Sequence, residues 1–142
     1  MDNNINTLDE LYKGCCMGED ALHFIIGKTK EKSFQDLLEK QLTEYEKMAS
    51  TIEDLYGDYT SRDIHETSVM EKAMTWYGIQ KDTMMDTSVS NLADLLIRGT
   101  NMGIIEGKRL LNHKTLDKKV HRVCSRYVDM QEAYLEKLKE FL

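Results

Sequence analysis

The chain has 142 residues, 41% apolar and 31% charged, with no proline and a net charge of −6. That is one domain with room for a proper core, and the missing prolines argue for long uninterrupted helices over a loop-rich or β-rich design. The acidic balance argues against nucleic acid, the polar opening MDNNINTLDE against a targeting leader, and the longest apolar run, ALHFII, falls far short of a membrane span.

The first helix is predicted from Ile5 to Gly27, with Ile5, Leu8, Tyr12, Cys15, Glu19, Leu22 and Ile26 on one face. GKTKEKS breaks the period. A second helix carries Phe34, Leu38, Gln41, Tyr45, Met48, Ile52 and Leu55, and Gly57 suits its C-terminal cap, closing a hairpin over 5–57. A crossover helix is expected over 64–84. Met70, Met74, Trp76, Tyr77, Met84 and Met85 cluster in and after it, as a cover for the bundle or a homodimer contact.

DTSVSN is a run of short polar residues that suits a helix start. The third helix then places Leu92, Leu96, Gly99, Gly103, Glu106 and Leu110 on one face. After the loop NHKTLD, the fourth carries Val120, Val123, Tyr127, Met130, Tyr134, Leu138 and Phe141, completing a second hairpin over 87–142.

The two hairpins repeat. LYKGCCMG from Leu11 and LIRGTNMG from Leu96 share Leu, a basic residue, Gly, Met and Gly at an offset of 85, and at 86 the second helix overlays the fourth, Phe34 on Val120 and Ile52 on Leu138. Each mid-helix glycine costs about 1 kcal/mol against alanine, a cost that suits close packing. The expectation is that Gly14 and Gly18 meet Gly99 and Gly103 across an antiparallel contact of the first and third helices. Cys15, Cys16 and Cys124 are an odd set with no Cys-x-x-Cys pair. They read as small packing residues of a reduced, cytoplasmic protein.

Two antiparallel hairpins joined by a long connection give an all-α, up-down four-helix bundle of ferritin-like arrangement. With the GxxMG segments at Gly14–Gly18 and Gly99–Gly103, and the D-x-S start at Asp86 and Ser88, the chain resembles the ferritin-like superfamily, and most of all a divergent group of small bacterial proteins within it. That resemblance implies a dimetal carboxylate centre: a Glu on the first helix of each hairpin, and Glu-x-x-His on the second. The candidates are Glu19 (with His23 one turn on), Glu44, Glu106 and Glu132. Lys47 and Leu135 stand where the two histidines belong, so no metal or other cofactor is expected, with iron, manganese or zinc at a degenerate site as the alternative. Glu19 is expected to point inward against Tyr45 or Gln41.

No phosphate-binding glycine loop or nucleophile elbow occurs. The expected function is therefore a non-enzymatic interaction or structural bundle, homodimeric, without nucleic-acid or membrane partners. A metal oxidase is the enzymatic alternative. A small anion at the basic hairpin of Lys118, Lys119 and Arg122 is a further one.

Overall fold

The computed structural model describes residues 2–67 and 86–142. Among the described residues there are four long helices and no strand: α1 (Asn3–Ile26), α2 (Lys32–Tyr56), α3 (Val89–His113) and α4 (Lys118–Lys139). A short 3-10 turn, Ile64–Thr67, follows α2. The rest of the expected crossover helix, with its Met and Trp cluster, lies outside the described residues. No helix among those described is long and apolar enough to cross a membrane.

Local chemistry sets the helix ends. The Asp2 carboxylate accepts the Asn4 amide at 2.7 Å and opens α1. At α3 the Ser88 hydroxyl accepts the Asn91 amide at 3.3 Å, while Asp86 accepts the Ser88 amide at 2.9 Å, so the DTSVSN run starts a helix as expected. Gly57 does end α2, but in a right-handed conformation at φ −61°, which any residue adopts.

α1 pairs with α2 and α3 with α4; the hairpins then join through α1 on α3 and α2 on α4, with α1 also reaching α4. Their directions follow from one corner. The Asp117 amide donates to Asn4 Oδ1 at 2.8 Å, and the Tyr59 hydroxyl donates to Asp117 Oδ2 at 2.7 Å. The starts of α1 and α4 and the end of α2 therefore share one end of the bundle, and α1 runs parallel to α4 and antiparallel to α2 and α3.

Burial obeys the repeat. Moved back by 85, the buried Leu92, Leu96, Thr100, Gly103 and Leu110 of α3 fall on the buried Thr7, Leu11, Cys15, Gly18 and Ile25 of α1. Moved back by 86, Val120, Cys124, Tyr127, Gln131, Tyr134 and Leu138 fall on Phe34, Leu38, Gln41, Tyr45, Met48 and Ile52, all buried.

The glycines do something other than expected. A Cβ on Gly18 would lie 2.6 Å from the Tyr45 ring, and one on Gly107 2.5 Å from Val128 Cγ2. At Gly14 it would meet the Tyr127 hydroxyl, and at Gly103 the Gln131 amide. These glycines are not patches set against each other. They are sockets on α1 and α3 that admit long side chains from α2 and α4. The Tyr45 hydroxyl donates to Gln131 Oε1 at 3.2 Å and ties the two hairpins at their middle.

Candidate functional site

A dimetal centre would require inward carboxylates at mid-bundle. That layer holds Gln41, Tyr45, Thr100, Gln131 and Tyr134 instead. These side chains do not fit a pair of hard cations, which call for anionic oxygen and imidazole ligands. Among the described residues, no three His, Cys, Asp or Glu side chains come together as a metal site needs.

The five candidates sit apart from that layer. Gly18, not Glu19, takes the inward position, because Tyr45 fills the space in front of it. Glu19 is half-buried, and its carboxyl is pushed up by burial first, then by the charges of Glu46 and Asp20, while His23 pulls it down. The expected proximity of Glu19 and His23 therefore holds, but on the flank of α1, with His23 exposed. The Tyr45 hydroxyl donates to Gln131. Glu44 lines a small hollow of about 230 Å³ between α2 and α4, beside Lys40 and Lys137. Glu132 is exposed and lies 3.7 Å from Lys108. Glu106 is exposed on α3 and faces a groove described below.

The thiols carry no nucleophilic character. Burial, then Glu19 and Cys16, pushes Cys15 well up; burial, then Glu19 and Asp20, takes Cys16 to about 11; burial takes Cys124 to about 11. All three are free and protonated at neutral pH. Cys124 donates to the Gly107 carbonyl at 3.6 Å, a packing contact inside the second hairpin.

On the basic hairpin, Lys118, Lys119, His121, Arg122 and Arg126 are exposed along the first turns of α4. Asp117, the acid among them, is occupied by Tyr59 and Asn4. Arg122 borders two open hollows, one with Lys118 and His121, the other with Lys119 and Arg126 opposite Asp54 and Asp58. The second is shared with acids, whereas the first brings Lys118, His121 and Arg122 together without one.

One apolar concavity is not revealed by periodicity. A groove of about 440 Å³ runs between α1 and α3. Gly14, Gly103, Gly107 and Tyr127 form its floor; Leu11, Leu110, Met17, Met102 and Ile105 line its walls; Glu10, Lys13, Glu106 and Arg109 edge it. Met102 is 44% and Ile105 42% exposed, large apolar side chains left open to water. The groove exists because the floor glycines bring no side chains of their own, and the chains that fill their sockets come from α4 beneath. A signal was present in Gly99, Gly103 and Gly107, spaced every four residues along α3. The stripe that sets Glu106 on the inner face conceals it, since Gly107 takes that position.

No family model, curated protein or solved structure matches the chain.

Proposed function

We propose that the protein is a non-enzymatic interaction module on a ferritin-like scaffold, and that the α1–α3 groove is its docking surface. The observation that carries this is the open groove itself: a glycine floor, apolar walls with Met102 and Ile105 exposed, and a rim of both charges. An apolar strip of this kind, rimmed by polar residues, is the usual form of a contact surface. The ferritin-like assignment draws support from two antiparallel hairpins whose first helices run antiparallel to each other, with a long connection returning the chain between them. The protonated, unpaired cysteines fit a reducing, cytoplasmic setting.

A photoreactive amino acid in place of Met102 tests the docking surface. In native cells it should form covalent adducts with protein, while the same group in place of exposed Glu39 on α2 should not. Absence of adducts from position 102, or equal labelling from both, would refute the groove as a docking surface.

A further inference from the structure

We propose that the occupant of the α1–α3 groove is a second copy of this chain, docked groove to groove about a twofold axis parallel to the helices. This rests on the reading of the groove as a docking surface and adds the partner and its orientation.

The rim charges favour that orientation. α1 and α3 are antiparallel, so Glu10 and Arg109 lie at one level of the groove with Leu11 and Leu110, Lys13 and Glu106 at the next, and Met17 and Met102 beyond them. On each helix, then, the sign of charge alternates, and at each level the two helices carry opposite signs. A twofold axis along the bundle lays α1 of one copy on α3 of the other without changing level. Glu10 then meets Arg109 of the second copy, and Lys13 meets Glu106, twice over by symmetry. An axis across the helices through the groove's middle would instead set Glu106 on Glu106 of the second copy. Beyond the charged levels, Met17, Met102 and Ile105 of both copies face the joined hollows, and the unbranched methionines can fill an irregular space.

The groove is the centre of the contact. Its lining runs from Glu10 to Met17, roughly 12 Å of α1, and two helices side by side are about 20 Å wide, so it supplies on the order of 240 Å² of each copy, with the flanking faces of α1 and α3 making up the rest of the roughly 800 Å² that a standard interface takes.

Sedimentation equilibrium with a charge swap tests both partner and axis. Wild type should have twice the 16.5 kDa chain mass at about 100 µM. Arg109→Glu alone, and Glu10→Arg alone, should each weaken the dimer at least about tenfold, since each sets like charges together. The double variant Glu10→Arg with Arg109→Glu restores the Glu10–Arg109 pairs across the dimer, though not the Lys13–Glu10 pair at 3.6 Å within α1, and should return the affinity to within about threefold of wild type. Both residues are exposed, so helicity should stay level across the set and show that folding is intact. A monomer at that concentration overturns the proposal, as does a dimer indifferent to the single swaps. So does a double variant no tighter than the singles. If wild type is monomeric while the Met102 photoadduct has the mass of some other protein, this inference falls and the docking surface stands. If no adduct forms at all, both fall.

Discussion

Replacing Gly18 with alanine inserts one methyl group beneath Tyr45, and the packing fixes how much that costs. The new Cβ would stand 2.6, 2.7 and 3.0 Å from Cε2, Cζ and Cδ2 of the ring, where ordinary contact begins at 3.4 Å. The ring has nowhere to go. Tyr45 is 1% exposed, and its hydroxyl is bound at 3.2 Å to Gln131, whose amide rests in turn on Gly103. Relief requires a shift of the helix or loss of the Tyr45–Gln131 bond. Overpacking costs about 1–3 kcal/mol and the buried hydrogen bond about 1 kcal/mol. Against this, alanine gains about 1 kcal/mol over glycine in helix propensity. The net is a loss of about 1–3 kcal/mol.

Gly27→Ala is the matched control. Gly27 has φ −72°, and the nearest atom to its Cβ is the Phe24 carbonyl oxygen at 3.7 Å, so only the reduced entropy of the unfolded chain acts, stabilising by about 0.4–1 kcal/mol. Urea unfolding followed by helical circular dichroism reads both, and an unchanged m-value assigns the shift to stability. The two midpoints should move in opposite directions. A Gly18→Ala protein as stable as wild type would refute the socket and the tie it supports.

Tyr45→Phe should lose about 1–3 kcal/mol by taking the donor from buried Gln131 Oε1, on an amide whose Nε2 already has no partner, while Tyr45→Phe with Gln131→Met should recover most of that, as a double-mutant cycle in urea would report. Glu19 has its carboxyl raised, so the folded state holds that proton more tightly than the unfolded chain, and stability contributed by the neutral form is lost as pH rises from the ordinary carboxylate range through the raised value. Glu19→Gln should therefore be more stable than wild type at neutral pH, with the gap closing below the ordinary carboxylate range; a variant less stable at pH 7 would contradict the environment described for Glu19. Cys16 and Cys124, held near 11, and Cys15, pushed well up by burial, should resist iodoacetamide at pH 8 in folded protein and react on denaturation, and rapid labelling of the native state by mass spectrometry would count against their burial.

Where periodicity alone decides burial, the sequence was legible. α2 buries Phe34, Leu38, Gln41, Tyr45, Met48 and Ile52 as its pattern predicts, because one large side chain recurs on each turn of a single face. Elsewhere the pattern slips by one position, at the helix ends, where Ile25 is buried in place of Ile26 and Tyr56 in place of Leu55, and at small or polar residues. Gly18 is inside in place of Glu19, Gly107 in place of Glu106, and Gln131 in place of Met130. Glycine carries no hydropathy to register, and its burial is decided by a tyrosine, valine or glutamine on another helix. That information is non-local. The same limit concealed the groove, whose floor is an absence of side chains on one pair of helices backed by Tyr127 of a third.

The middle of the bundle gives the physical reason why two similar hairpins carry different residues there. Tyr45 and Gln131 are equivalent in the repeat, 86 residues apart, and they face each other across the axis that relates the hairpins. Gly18 and Gly103, also equivalent, form the sockets beneath them. A strictly symmetric pair would set tyrosine on tyrosine, with two rings in the space of one ring and one amide, or glutamine on glutamine, which leaves a void behind the shorter chains. Tyrosine opposite glutamine fills the volume and supplies one donor to one acceptor, which a buried polar contact requires. The Tyr45–Gln131 pair is thus specified by volume and by one complementary hydrogen bond. It holds the two hairpins together from inside and leaves the outer α1–α3 face free of any part in closing the core.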